Sequence, residues 1–234
     1  MSELADQPIR HAGTICDFDY EGKSFSFFVS NKNDSVQGHH YAGRFYETED
    51  LQFIRQHVSP GAKILDIGAN VGNHTVYFAN VLNASRVYPF EPNPVARQIL
   101  NYNVALNRSA NVEMKYSHFG LGSAPMSGMI ETRFENNLGL GVFRESADGE
   151  CTIIAGDSII SDCDFIKIDV EGYEMHALRG LEKCIAASSP KIFIEVDIRN
   201  QEDFDNWVRD NGYAVDGRIK RYEHNENFFI SKRQ

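Results

Sequence analysis

The sequence predicts an α/β protein built on a mostly parallel sheet with helices on both faces, and three observations predict it. From residue 63 onward, short apolar runs alternate with stretches of helical periodicity. The first run, KILDI, passes through the turn GANVG at residues 68–72 into a helical stretch. The apolar runs end at Asp66, Glu91, Ser117, Asp169 and the segment Glu195 to Asp197, acids at all but one end. The carboxyl ends of strands are where parallel sheets hold ligands.

Each element follows from its own pattern. Residues 14–30, TICDFDYEGKSFSFFVS, place aromatic and β-branched residues around EGK and read as a hairpin. A polar stretch follows. Residues 48–58 carry Leu51, Phe53, Ile54 and Val58 at helical spacing, with Thr48 as N-cap and SPG as the stop. A strand over 63–67, a helix over 73–82 and a strand over 86–90 come next. Asn93 as N-cap and Pro94 in the first turn open a helix over 94–106, and 111–116 reads as a third strand. Between 119 and 160 the helical pattern vanishes, and MSGMIETRF, LGVFRE and CTIIAG predict an inserted antiparallel ribbon. Residues 164–169 resume a buried strand, followed by a helix over 173–185, a strand over 191–197 and a helix over 202–211. The tail reads as a hairpin that adds antiparallel edge strands. The expected organisation is an extension over 1–60 packed on a core over 61–234, together one domain.

Composition narrows the function. The 234 residues are 42% hydrophobic and 24% charged, enough for one sizeable core. A net charge of −10 lacks the cationic field that draws in nucleic acid or an anionic membrane, so neither is expected as partner. The polar N-terminus shows no secretory signal, and no apolar run is long enough to span a bilayer. Cys16, Cys151, Cys163 and Cys184 have no C-x-x-C spacing, so free thiols in a cytoplasmic protein are expected rather than a zinc or redox site.

The turn after the first core strand decides what kind of ligand is expected. A dinucleotide loop wants G-x-G-x-x-G, so that backbone can approach a pyrophosphate. Here Asn70 takes the middle glycine's place and no third glycine follows Gly72. No lysine supplies a Walker arrangement either. Glu91 stands nineteen residues after Gly72, at the distance where an acid accepts from ribose hydroxyls. A ribose clamp with no pyrophosphate seat suits an adenosine without phosphate, such as S-adenosylmethionine. Asp66 reads equally as a helix cap or as a ligand contact.

At this point DIGANVGNHT, FEPNP with NVALN after it, and FIKIDVEGYEMHALRG followed by PKIFIEVD resemble the FkbM family of S-adenosylmethionine-dependent methyltransferases, over about Phe45 to Val196. The resemblance implies a class I methyltransferase fold, Rossmann-like, with a seven-stranded, mostly parallel sheet. It implies methyl transfer, usually to oxygen, on a sugar hydroxyl, glycan or other small metabolite. It further implies cofactor contacts from Gly68, Asn70, Gly72 and Asn73 in the loop, support from Asp66, a ribose contact from Glu91 beside Pro92, and Ser117 and His118 near the adenine.

A hydroxyl acceptor needs alignment and a base. The expected catalytic residues are Asp169, which also borders the cofactor, Glu171 and His74. Glu171 reads alternatively as a cap and His74 as a cap or packing residue. Acceptor contacts are expected from Tyr46, Asn136 and Asn137, in segments outside the alternating pattern, and from Glu195 at a strand end. Tyr41, Phe134 and Phe143 are further rings for stacking on a sugar. Asp169, Glu195 and Asp197 form a possible Mg²⁺ set, with a metal-free site preferred. The rival readings are a Mg²⁺-assisted enzyme of similar fold, a catalytically inactive S-adenosylmethionine-binding protein and an NAD-dependent oxidoreductase. The oligomeric state stays open, a homodimer included.

Overall fold

The computed structural model describes residues 12–132, 137–221 and 223–233. Among these, the main sheet has six strands: β3 (Lys63–Ile67), β4 (Arg86–Phe90), β9 (Phe165–Ile168), β10 (Lys191–Asp197), β11 (Tyr213–Ile219) and β12 (Asn225–Lys232). Their spatial order is β11-β12-β10-β9-β3-β4. β4, β3, β9 and β10 run parallel, and β12 and β11 join antiparallel through the terminal hairpin. The parallel strands are mostly apolar because helices cover both faces.

A seven-stranded sheet is not what forms. Residues 111–116 contribute one bridge, Val87 to Val112, and then turn into a short 3₁₀ segment at Met114–Tyr116. The Glu113 side chain accepts from the Lys115 amide and stabilises that turn in place of a strand. Local capping by a side chain outcompetes the ladder here. The insert forms its own sheet, β5-β8-β6-β7, from β5 (Phe119–Leu121), β6 (Met126–Thr132), β7 (Gly141–Glu145) and β8 (Cys151–Ile154).

Ahead of the main sheet, β1 (Thr14–Tyr20) and β2 (Lys23–Val29) form a hairpin closed by Glu21 and Gly22, both at positive φ. The polar stretch after it is helical in part: α1 spans Ser35–Tyr41, and Asp34 accepts from the Val36 and Gln37 amides as its N-cap. Helix α2 spans Thr48–His57, but its N-cap is Glu47 in a left-handed conformation, not Thr48. Thr48 Oγ1 donates instead to the Phe45 carbonyl, at 3.4 Å.

Helices α3 (Asn73–Asn80) and α4 (Pro94–Leu106) follow β3 and β4. Asn93 caps α4 by accepting from Val95 and Ala96. The single helix expected over 173–185 is two, α5 (Glu174–Arg179) and α6 (Glu182–Ser188), broken at Gly180. A Cβ at Gly180 would lie 2.1 Å from the Gly122 carbonyl oxygen, so β5's exit passes too close for a continuous side-chain-bearing helix face. Helix α7 (Gln201–Asp210) precedes β11.

Two apolar layers flank the main sheet. One joins Leu65, Ile67, Ile166 and Ile194 to α5, α6 and α7. The other joins Ile64, Val87, Phe165 and Phe193 to α2, α3 and the rings of Phe25, Phe27 and Phe45. The N-terminal hairpin is therefore packed into the second layer and shares its core.

Candidate functional site

β3, β4 and β9 end at one edge of the sheet, where a cleft of about 680 Å³, open solvent at its mouth included, is lined by Gly68, Asn70, Glu91, Pro92, Asp169 and Glu171 among others. Its apolar wall comes from Ile67, Phe90, Leu121 and Ile153. A second cavity of about 780 Å³, again including open solvent, is lined by Tyr46, Glu47, Asn137, Glu195, His224 and Asn225 among others. Asn70, Gly139, Asp169 and Glu171 line both, so the two spaces meet at these residues.

The glycine turn brings the ends of β3 and β9 together. A Cβ at Gly68 would lie 1.8 Å from the Asp169 carbonyl oxygen, and φ there is +77°. Only glycine permits that approach. Gly72, expected to face the cofactor, is instead a packing residue: a Cβ there would meet Leu100 Cδ1 of α4 at 2.7 Å.

Glu91 sits at the end of β4, buried, and braces two loops. Its Oε2 accepts from the Asn70 amide and its Oε1 from the Asn93 amide, both at 2.8 Å. Burial lifts its pKa to about 7 against the pull of those two amides. Each carboxylate oxygen keeps a further lone pair.

Behind the cleft lies a buried cation that sequence reading missed. Lys167 is in the middle of β9, nearly inaccessible, and its Nζ donates to the Gly68 carbonyl at 2.9 Å. Asp169 Oδ2 is 3.4 Å away and Asp66 Oδ1 3.6 Å. Burial pulls its pKa down, but Asp169, Asp66 and Glu47 outweigh it and hold the ammonium charged. Asp66 does not line either space; Thr75 Oγ1 donates to it at 2.5 Å, and burial pushes its pKa up. The signal for Lys167 was present, a lone charge inside FIKI.

Other expected residues are placed elsewhere. Asn73 clamps the Tyr46 backbone, accepting from its amide at 2.9 Å and donating to its carbonyl at 3.1 Å. Ser117 is buried, with its carbonyl accepting from the Glu91 amide. His118 is exposed and lies against the Phe119 ring. Neither lines the cleft, whose wall on that side is Gly120 and Leu121. His74 is 6% exposed, with Nε2 3.7 Å from Glu47 Oε2. Burial, and then Lys167 and Arg221, hold its pKa well below the ordinary value. It lines neither space. Phe143 lines the cleft rather than the second cavity, and Tyr41 lines neither. Asn136 and Phe134 lie outside the described residues.

Tyr46, Asn137 and Glu195 do line the second cavity. Asp34 explains how Asn137 arrives: having capped α1, its Oδ2 accepts from the Leu138 amide at 2.8 Å and ties the insert to the N-terminal extension. Glu47 is the other unforeseen wall residue. It holds φ at +52°, a conformation that costs a non-glycine residue energy, and its carboxylate lies 3.4 Å from Arg221 Nη1. Asn70 and Glu171 share that left-handed geometry, so three strained residues border the cavity.

Asp169, Glu171 and Glu195 bring oxygen atoms within 4.8 Å of one another. Asp197 is not in this group; it is turned to Arg199, 2.6 Å away. Burial, then Asp169, Glu171 and Glu47, push Glu195 up to about 9. Burial, then Asp169 and Asp50, push Glu47 up to about 7. The folded state thus keeps protons on Glu47, Glu91 and Glu195 that the unfolded chain releases near pH 4.5. Stability is fully present below that value and is lost as pH rises through about 7 and then about 9. His40 and His74, with lowered values, act oppositely, but only below about pH 6.5. Thermal denaturation should therefore show the midpoint falling from pH 7 to pH 9. Glu195→Gln should flatten the upper part of that slope, and an unchanged slope would contradict the burial assigned to this carboxyl.

The sheet order, the bend after β3 and the acid closing β4 define a class I methyltransferase fold, the α/β fold of the solved relatives. The chain belongs to the FkbM family of S-adenosylmethionine-dependent methyltransferases: the family model described as "Methyltransferase FkbM domain" matches residues 66–215. It is 25% identical over 198 residues to the hexuronic acid methyltransferase AglP of Haloferax volcanii, covering 80% of this chain and 77% of that one. Among solved structures, an FkbM methyltransferase from Methylobacillus flagellatus shares the fold at TM-score 0.51 and 20% identity, over 83% of this chain and 52% of that one. TYW2 of M. jannaschii, solved in complex with AdoMet, matches at TM-score 0.51 and 15% identity over 96% and 88%. The tRNA m1G37 methyltransferase of M. jannaschii matches at TM-score 0.54 and 12% identity, over 96% of this chain and 56% of that one. No helix among the described residues is long and apolar enough to cross a membrane.

Proposed function

We propose that this chain methylates a hydroxyl oxygen on a sugar, glycan or other hydroxylated small metabolite, with the methyl donor in the cleft and the acceptor in the second cavity. The observation that carries the reading is that the two spaces meet at Asn70, Gly139, Asp169 and Glu171. Donor and acceptor can then face each other across one boundary.

The cleft fits S-adenosylmethionine on several counts. Glu91 offers uncommitted lone pairs for ribose hydroxyls, and Asn70 Oδ1 is buried with no hydrogen-bond partner. Ile67, Phe90, Leu121 and Ile153 supply an apolar face for a purine. The bound donor supplies a methyl group already activated on a sulfonium and leaves as S-adenosylhomocysteine. The chain's part is to align the acceptor hydroxyl at the boundary and take its proton. Asp169 takes this role in our reading, supported by its position at the boundary and by Lys167 3.4 Å behind its carboxylate. As the C–O bond forms and the C–S bond breaks, the hydroxyl proton passes to the Asp169 carboxylate. Glu171 shares the boundary as a second acceptor for it.

The Haloferax relative's name supports a sugar-class acceptor. The tRNA enzymes share the fold at low identity, and a net charge of −10 argues against RNA here. The test is calorimetry with S-adenosylhomocysteine, followed by labelled-methyl transfer to glycan and small-metabolite pools. Glu91→Ala should weaken binding by about 10- to 100-fold, since a hydrogen bond to a charged group is worth roughly 1.5–3 kcal/mol. Unchanged affinity would remove Glu91 from the ribose contact. Binding with no transfer to any hydroxylated acceptor would favour a catalytically inactive binding protein.

A further inference from the structure

The acceptor cavity has a charge character that the comparisons do not assign. Its wall includes Glu47, Asp169, Glu171 and Glu195. Among the described residues, Lys167 lies against Asp169 and Arg221 against Glu47, and neither base lines the cavity. Among the described lining residues there is no lysine or arginine, and His224 is exposed at the rim.

This wall is held in place at a structural cost. Glu47 reaches it through a left-handed backbone. Behind Glu47 the buried His74 Nε2 has no hydrogen-bond partner, and its ring is held neutral. Arg221, which faces Glu47, is occupied by Asp50 at 2.7 Å and also lies 3.7 Å from Glu49. On the other side, Glu195 Oε1 accepts from Asn225 Nδ2, also a cavity residue. Three carboxylate oxygens, from Asp169, Glu171 and Glu195, converge within 4.8 Å of one another at the boundary with the donor cleft. An ammonium group presents three donors and no acceptor, which matches three converging carboxyl groups, and its charge would draw the proton off Glu195. A carboxylate on the acceptor would add one more negative group to the crowding that already keeps Glu195 protonated.

Resting on the acceptor assignment above, we propose that the hydroxylated acceptor bears a free amine, as an amino sugar does, and is not a uronate. This separates the chain's specificity from that of its hexuronic acid-methylating relative.

The test uses the full chain saturated with S-adenosylhomocysteine, in EDTA. Titration calorimetry compares three probes: the methyl glycosides of glucosamine, N-acetylglucosamine and glucuronic acid. Glucosaminide should bind at least about tenfold more tightly than its N-acetyl form, with glucuronide weakest. Glu47→Gln and Glu195→Gln, each confirmed folded by circular dichroism, should narrow that preference. Equal affinity for the amine and its acetamide, tighter binding of glucuronide, or no binding of any probe overturns the proposal. Glucuronide binding that appears on replacing EDTA with Mg²⁺ also overturns it, and gives the three carboxylates to a metal ion. Failure of S-adenosylhomocysteine itself to bind would instead sink the underlying methyltransfer reading.

Discussion

Replacing Asp169 with asparagine is expected to lower methyl transfer by about 10²–10⁴-fold, the usual contribution of a positioned general base. Asp169 stands where the cleft and the second cavity, the proposed donor and acceptor seats, meet, and Lys167 lies 3.4 Å behind its carboxylate. Asparagine keeps the volume and one acceptor oxygen, so the S-adenosylhomocysteine affinity should move far less than turnover. Glu171 borders the same point and limits the loss if it takes over part of the proton transfer. The decisive measurement is the pH dependence of kcat with an acceptor that the native enzyme turns over. Native rates for Asp169→Asn would show that alignment alone suffices for this hydroxyl.

Lys167→Met is expected to cost stability more than any other single change at the site, about 3–5 kcal/mol. The side chain is 3% exposed and its ammonium meets the Gly68 carbonyl, Asp66 and Asp169 together. Methionine fills the volume but removes the cation 3.6 Å from Asp66 Oδ1, a buried oxygen with no hydrogen-bond partner of its own. It also frees the Gly68 carbonyl, so the bend that shapes the donor cleft loosens along with the global fold. Urea unfolding at neutral pH gives the loss directly. A change below about 1 kcal/mol would mean that Asp66 takes up a proton and that the cation is not what holds β3 to β9.

Much of this fold was legible because the chain repeats one local bargain, a buried strand followed by a capped helix. Asn93 with Pro94 marked the start of α4 correctly, and KILDI and DFIKID were recognisable as interior strands from their lack of alternation. The misreadings occurred where a side chain's local hydrogen bond overrode periodicity. Glu113 turned an expected strand into a 3₁₀ segment, and Asp34 turned an expected loop into α1. Glu91 and Asp169 were expected at the cleft from strand ends, and Asn70 from the family resemblance, and all three line it. Glu47 was not, since it reaches the cavity through a left-handed backbone that propensity disfavours. His74 and Asn73 follow the bend directly, yet the start of α3 turns them into the protein interior.

The tie from Asp34 to Leu138 joins segments 104 residues apart in the chain. In the proposed reading the acceptor seat is thereby composed mostly of separable parts: residues 35–47, the insert near 137–139, and the turn near 224–225, none of which belongs to the parallel strands, whereas Glu195 comes from β10. Substitutions in these peripheral pieces can redraw what is recognised while the donor half stays constant. An ancestral scaffold of this design could change clientele by grafting, without relearning its chemistry.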